Sequence, residues 1–534
     1  MMDVDWRLLG TFGAPSEAWR SRDSSFRRTG RGGDRVAVSI LTRFVRKALN
    51  AAAFYGLPGP AARIAEVLGR GSGSAGALMS GTAALIRMGR GVVPADVAGT
   101  VERLMSAAER PGVAVGEAAA LVECAMRIGY HVARHRGRET SPILSDSGDP
   151  VTRRIVASPL LAVPPRRARP HRTPRNDGPV RLLVLTQVNT VFLDSDLARW
   201  SEDPGVDVRV LGPEDDATIR QAANLSTLVR CRLGGGRPPL SDRVAAELEA
   251  ADVVYVEWAE LFCAAVTLMP FDAPMVVRLH RYEALTPAPA LMDWSRVSRL
   301  LTTEGSARLL ERAAPDVTKG VDVVTAPLLV DTTPFARPKN PAARRTMAMV
   351  GYSQMVKDPM WALDVLDAVR AVDDAWRLIL VGAADQWEAG PIAADYRSRF
   401  ESRLIDEDAA VVPLGRREDV AEVLRDASVI LSSSTYESTH VAVIEGVASG
   451  CLPVVRDWPD ARPVGGAHAT YPPEWIVVDP AEAAARILAA SKDDASPADS
   501  AEASAAAQWL VENRDPAAIA ATMDAAVLEW SRGE

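Results

Sequence analysis

Two series of short, nearly continuous apolar runs dominate the chain from residue 180 onward. The first comprises Val180–Thr186, Val206–Leu211, Asp252–Val256, Pro274–Leu279, Leu300–Thr303 and Val321–Thr325. The second comprises Thr346–Val350, Trp376–Val381, Ala409–Leu414, Ala427–Leu431, Leu452–Val455 and Trp475–Val478. Runs that do not alternate with polar residues suit strands buried on both faces of a parallel sheet. Helical patterns such as Leu240–Ala250 separate them, and this β/α alternation predicts doubly wound sheets. Thr332–Ala343, with Pro334, Pro338 and Pro341, interrupts the rhythm. The pattern therefore predicts two similar α/β units joined by a proline-rich hinge, with a ligand cleft at the C-terminal ends of their strands.

Upstream the periodicity is helical. Val38–Phe54, Thr82–Met88, Pro94–Ala107 and Val115–Ala133 have apolar residues at helical spacing, separated by Gly and Pro clusters such as Gly69–Ser74. Residues 1–36, rich in Arg, Ser and Gly, are expected to be irregular. Ser145–Gly178 is Pro- and Arg-rich and reads as a linker. Ala501–Trp530 is alanine-rich and predicts a terminal helix or helix pair. The expected plan is a basic helical region over 1–144, a linker over 145–178, α/β domains over 179–335 and 344–500, and a helical segment over 501–534.

Composition adds bounds. A chain of 534 residues exceeds one core. No apolar run reaches the ~18 residues needed to span a bilayer, and the first residues are not a secretory signal. Cys124, Cys231, Cys263 and Cys451 show no paired spacing, which fits a reducing cytoplasm rather than a disulfide framework or zinc. His131 and His135 fall at helical spacing without an acidic or cysteine partner, which argues against a metal there. The net charge of −8 hides an asymmetry, because residues 1–178 carry 27 basic against 15 acidic side chains. Such a region suits an anionic membrane surface or a nucleic acid, or is simply a solvated arginine-rich face. No Gly-x-Gly-x-x-Gly follows either opening strand and no P-loop is present, so the usual NAD and ATP sites lose their support.

Three stretches carry candidate chemistry. Ala427–Leu431 leads through a serine-rich turn into a helix expected from Thr439 to Gly450, with Glu437 and Glu445 eight positions apart across the junction. Unpaired N–H groups at such a helix start suit a phosphate, and Glu445, over a turn further along, can accept from hydroxyls of an attached group. Lys357 stands in the loop after Val350, just before a helix expected to have Asp358 as N-cap and Pro359 at N1, with Leu363, Leu366 and Val369 as its buried stripe. A lysine there can meet a diphosphate as a point charge. His280 follows the strand Pro274–Leu279 and faces the cleft from the other unit. Plainer readings stand beside these: solvated acids, a surface lysine beside a cap, a satisfied core histidine, and Arg281 paired with Glu283.

Taken together these residues resemble the retaining glycosyltransferases of the GT-B fold, family 4 (group 1), over Val180–Asp479. Glu437 and Glu445 match the family's Glu-x7-Glu element, with Ser434 before it and Ala448, Ser449 and Gly450 after. Lys357 matches its phosphate-binding lysine, Gly351, Gly382 and Gly415 its strand-end glycines, and His280 its N-terminal-domain histidine. The strings Asp252–Trp258, Arg278–Glu283 and Glu474–Val477 are similar to a narrower set of such enzymes. The chain departs from the family at Tyr352, where arginine is usual, at Thr439, His440 and Val441, where Phe-Gly-Leu is usual, and after Thr186, where a glycine-rich loop is usual.

The resemblance implies a GT-B α/β architecture, with two Rossmann-like domains facing a cleft and an all-helical extension ahead of them. It implies a hexosyltransferase of cell-envelope type using a nucleoside-diphosphate sugar and a glycan, glycolipid or small-molecule acceptor, with retention and no required metal or cofactor. His280 and Glu437 would be catalytic. Lys357, Glu445, Thr439, His440, Val441, Ser434, Gly351, Gly382 and Gly415 would hold the donor. His440, at a helix start, is expected to be neutral and to stand in for a lost donor to phosphate or sugar. The expected location is cytoplasmic, with the basic N-terminal region touching the inner membrane face and no nucleic acid bound. A catalytically impaired GT-B-like binding protein and a sugar-nucleotide epimerase or phosphorylase on the same fold are the alternatives.

Overall fold

The computed structural model describes residues 45–51, 57–135, 141–162, 178–188, 190–383, 387, 391–406, 410–492 and 495–532. The irregular start expected over residues 1–36, most of Val38–Phe54 and the Pro/Arg-rich run 163–177 lie outside them. Two compact units divide the chain, Met1–Ile128 and Gly129–Glu534.

The first unit is helical, with Pro58–Gly69, Gly73–Met88, Val97–Ala108 and Val115–Gly129, the last ending at the unit boundary. Small residues let its helices approach closely. A Cβ at Gly81 would meet Leu104 Cδ1 at 3.1 Å and would collide with Cys124 Sγ. Leu104, Met105, Leu121 and Val122 have no exposed surface.

The second unit begins with short helices. Residues 141–162, overlapping the expected linker, fold as Pro142–Leu144, Pro150–Val156 and Pro159–Leu161. Ile143, Leu144, Ile155 and Leu161 are buried, and arginines from the following domain bond the backbone. Arg312 donates to the Ile143 carbonyl at 3.3 Å, and Arg232 to the Leu161 and Ala162 carbonyls at 3.2 and 2.9 Å. Arg134 and Asp149 form a buried ion pair at 2.7 Å. His135 bonds Ser141 Oγ and the Gly129 carbonyl, both at 2.7 Å, and His131 accepts from the Ala133 N–H. Burial lowers both imidazoles to about 4, so they are neutral struts.

Two parallel six-stranded sheets follow. The first contains β1 (Val180–Thr186), β2 (Val206–Leu211), β3 (Val253–Glu257), β4 (Met275–Arg278), β5 (Val297–Thr302) and β6 (Asp322–Thr325), in the order β2-β1-β3-β4-β5-β6. The second contains β7 (Thr346–Val350), β8 (Arg377–Val381), β9 (Val411–Gly415), β10 (Val429–Ser432), β11 (Leu452–Arg456) and β12 (Ile476–Val477), in the order β12-β11-β10-β7-β8-β9. Each order reverses once, between β1 and β3 and between β7 and β10. In a doubly wound sheet the crevice at that reversal is where ligands bind. This is the two-domain GT-B architecture.

The terminal segment is a helix pair, Ala501–Asn513 and Pro516–Arg532, and the two helices serve different domains. Ala503 joins the core of the second sheet, and the Trp509 ring meets Trp475 at 4.8 Å. Met523, Ala526, Val527 and Leu528 join the core of the first sheet, where Trp200 donates to Asp524 at 2.7 Å.

The helix Val441–Ala448 lies directly on β10, and Gly446 makes this possible. A Cβ there would fall within 2.6 Å of Ile430 Cγ1 and Cγ2. Gly446→Ala is therefore expected to cost about 1–3 kcal/mol by overpacking, lowering the melting temperature. An unchanged melting temperature for Gly446→Ala would contradict this packing.

Candidate functional site

The first candidate site forms where β7 and β10, adjacent in the sheet, end together. Ser432, Ser433 and Ser434 are fully buried, and each hydroxyl has its own partner. Ser432 Oγ lies 2.8 Å from His440 Nδ1, Ser433 Oγ donates to the Lys357 carbonyl at 2.6 Å, and Ser434 Oγ donates to Glu437 Oε1 at 2.9 Å. The Thr435 N–H donates to the Val356 carbonyl at 2.8 Å. Lys357 Nζ sits 2.6 Å from Glu437 Oε1. Both bonds to Glu437 use Oε1, which leaves Oε2 available. Burial would raise this carboxyl, but Lys357 first, and Arg281 with it, hold it down to about 2. His440 adds to that only when protonated, below about 4.

His440 is placed differently from the expectation. Its Nδ1 faces Ser432, its Nε2 faces the Val350 carbonyl at 3.4 Å, and its ring is buried. The side chain is a neutral strut tying the ends of β7 and β10 to the helix start, not a donor to an outside ligand. The backbone around it is what remains open. Among the described residues, the N–H groups of Thr439, His440, Val441 and Ala442 have no acceptor within the protein. Four successive unpaired N–H groups at the start of an eight-residue helix are chemically suited to an anion. Glu445, one turn along and partly exposed, has no hydrogen-bond partner for its carboxylate among the described residues, and burial raises its pKa.

Asp358 also departs from the expectation. It occupies the N-cap position of Pro359–Arg370, but with a left-handed backbone (φ 43°) and no side-chain bond to the helix. Its carboxylate instead accepts from Tyr396 Oη and Arg456 Nη1, both at 2.6 Å. Leu363, Leu366 and Val369 are buried as their spacing implied.

The facing site stands at the ends of β3 and β4, where the register sets Thr186, Glu257 and Arg278 side by side. His280 Nε2 lies 2.8 Å from Glu257 Oε1, and the His280 N–H donates to Glu283 Oε1 at 3.1 Å. Tyr255 Oη donates to the other Glu257 oxygen at 2.6 Å. Burial lowers the His280 pKa. A neutral ring that donates through Nε2 keeps Nδ1 as an acceptor, and the side chain is 13% exposed. Burial would raise Glu257, yet His280, Arg278 and Tyr255 hold it below its usual value. Trp258, at φ 76° and buried, packs against His280 with tilted rings whose centroids are 4.1 Å apart. A bulky residue in that backbone region is strained.

Two more carboxyls stand here: Glu260, not singled out in the sequence, and Glu283, expected there only as a partner for Arg281. Burial raises Glu260 to about 7 and Glu283 to about 8. Tyr282 donates to Glu260, and Glu283 Oε2 is buried without a partner. Sheet order was the missing signal, because only adjacency of β3 and β4 gathers residues 257–283. Arg281 does not pair with Glu283. It crosses to the other domain, where Nη1 donates to the Tyr436 carbonyl at 3.1 Å.

Residues 344–493 match the family model described as glycosyl transferases group 1. A GDP-mannose:cellobiosyl-diphosphopolyprenol alpha-mannosyltransferase of Xanthomonas campestris is 24% identical over 236 residues, covering 42% of this chain and 61% of that protein. Its counterpart in Xanthomonas oryzae pv. oryzae has the same identity and coverage. The chain thus spans about three-fifths of the length of these relatives. Among solved structures, Anabaena Alr3699/HepE in complex with UDP and glucose aligns at a TM-score of 0.48 and 16% identity, over 64% of this chain and 98% of that one. Sucrose-phosphate synthase from Thermosynechococcus elongatus aligns at 0.47 and 16%, over 64% and 97%.

The three expected strand-end glycines, Gly351, Gly382 and Gly415, line up across β7, β8 and β9. The Gly351 N–H donates to the Val381 carbonyl at 2.7 Å, and the Gly382 N–H to the Gly415 carbonyl at 2.9 Å. Gly382 has little room, since a Cβ would lie 3.0 Å from Tyr352 Cδ1. Tyr352 itself is buried in the core, its ring 5.8 Å from that of Phe400.

The neutral state of His440 predicts a pH effect. Its folded pKa of about 4 lies below the unfolded value of about 6.5, so its contribution is intact above about 6.5 and lost as pH falls towards 4. Wild type should be more stable than His440→Gln at pH 7. That gap should shrink by on the order of 1–2 kcal/mol at pH 5 in urea denaturation. A gap independent of pH would show that the imidazole is not held neutral.

Proposed function

We propose that the protein is a glycosyltransferase that moves a sugar from a nucleoside-diphosphate sugar to an acceptor held by the first α/β domain. One observation carries this: open N–H groups at Thr439–Ala442 beside Lys357, at the chain reversal of a group 1 domain. The diphosphate would lie on those N–H groups and Lys357, the ribose hydroxyls on Glu445, and the sugar against Glu437 Oε2. Gly351, Gly382 and Gly415 would keep the floor of the site low. His280, oriented by Glu257, would present Nδ1 to a sugar hydroxyl once the cleft closes.

In the reaction the bond from the anomeric carbon to the β-phosphate oxygen breaks, with its electron pair passing to the diphosphate. A bond from the acceptor oxygen forms, and the departing phosphate takes the acceptor proton. Stabilising the charge on the leaving diphosphate would be the main contribution of the protein. We take transfer to be retaining and to need no metal. The Xanthomonas relatives are named for a diphosphopolyprenol-linked acceptor, and a lipid-linked acceptor would suit a basic N-terminal region near an anionic membrane. No described helix is long and apolar enough to cross a membrane, so that contact would be peripheral.

A mass-spectrometric screen of nucleotide sugars, with calorimetry on the best binder, tests the proposal. Lys357→Ala should weaken nucleoside-diphosphate binding roughly 10- to 100-fold, as expected for a lost charged hydrogen bond. Glu445→Ala should weaken the nucleoside part. The proposal fails if nothing binds and neither variant differs from wild type. Binding without transfer to any acceptor would favour the impaired binding protein instead. For the membrane contact, the full chain should co-sediment with anionic vesicles and be released as salt rises. Salt-independent or absent sedimentation would exclude it.

A further inference from the structure

The donor-side loops carry little unbalanced positive charge. Lys357 is matched by Glu437, Arg456 by Asp358 at 2.6 Å, and His440 is neutral. Tyr352, in the same loop as Lys357, is buried in the core and brings no charge. A diphosphate delivers at least two negative charges to this point, whereas a helix start offers about half a positive one.

Among the described residues, a further cation reaches the spot from the opposite domain. Arg281 follows His280 beyond the end of β4, and its guanidinium lies 4.4 Å from the centroid of the Tyr436 ring. Nη1 donates to the Tyr436 carbonyl at 3.1 Å, and Tyr436 immediately precedes Glu437. Among the described residues Arg281 has no carboxylate partner. The nearest in sequence, Glu283, is turned onto the N–H groups of His280 and Ala259. The Arg281 charge is also one of those that lower Glu437.

We propose that Arg281 is the second diphosphate cation, supplied across the cleft, so that the donor is clamped between Lys357 of one domain and Arg281 of the other. This rests on the donor-site assignment above and deepens it. The geometry suits the role. Stacking on Tyr436 fixes the guanidinium plane, and its one bond to a neutral carbonyl is weaker than one to a phosphate oxygen. Because Arg281 belongs to the first α/β domain, it serves the diphosphate only with the domains together. Occupation of the donor site therefore favours the closed cleft.

The test measures binding of UDP, GDP and ADP, and of the matching nucleoside monophosphates, to the full chain by calorimetry. Arg281→Gln should weaken the preferred diphosphate roughly 10- to 100-fold and the monophosphate less than about 3-fold, on the expectation that Arg281 serves mainly the β-phosphate. Arg281→Lys should recover part of the loss. Tyr436→Leu, which removes the seat but keeps the charge, should show a smaller loss in the same direction. Either Arg281→Gln or Tyr436→Leu, melting as wild type and binding the diphosphate equally tightly, would overturn the inference while leaving the donor site standing. Wild type that binds none of the three diphosphates would overturn the donor site, and this inference with it.

Discussion

The ion pair between Lys357 and Glu437 is the contact on which the candidate site of the second sheet depends. It joins two loops 80 positions apart in sequence that meet only because β7 and β10 are neighbours in the second sheet. An isolated surface pair of this kind would contribute almost nothing. This one is largely shielded, with side-chain exposures of 18% and 10%. Removing either partner would leave a nearly buried charge uncompensated. Around it the serines of the turn and the His440 ring pair with one another and with the strand ends, while among the described residues the backbone N–H groups of Thr439–Ala442 have no acceptor.

The facing domain uses the same device with different chemistry. Register sets Glu257 beside Arg278, and His280 is oriented by a carboxylate that His280 itself, Arg278 and Tyr255 hold below its usual range. Burial pushes Glu260 and Glu283 the other way, up to about 7 and 8. Carboxyls within one segment are thus held in different protonation states by local surroundings alone, a separation common at functional sites. The strained Trp258 backbone is offset by its packing against His280 and Phe192.

The strands were legible because a doubly buried parallel strand admits almost only apolar residues, and each observed strand lies within three residues of its expected bounds. Lys357, Glu437 and Glu445 were legible because spacing across one strand-to-helix junction is local. The role of the His440 side chain was not, since a histidine at a helix start looks alike whether it faces a ligand or its own strand. What decided it is Ser432, eight residues back, and Val350, ninety residues back. Asp358 misled for a similar reason: its cap position is local, but the Arg456 and Tyr396 that capture its side chain are distant. The folded stretch 141–162 was hidden because the Arg232 and Arg312 that hold its carbonyls lie far downstream.

The terminal helices explain how two domains joined by a proline-rich hinge can work as one machine. Ala501–Asn513 packs on the second sheet and Pro516–Arg532 on the first, so the chain crosses between domains twice, at the hinge and at its end. Two crossings limit the relative motion far more than one flexible linker would. Arg281 needs that restriction. A guanidinium from one domain finds a carbonyl of the other at hydrogen-bond distance only if closure follows nearly the same path each time. A restricted hinge therefore turns a contact between domains into part of a binding site, and makes the charge balance of that site depend on domain position.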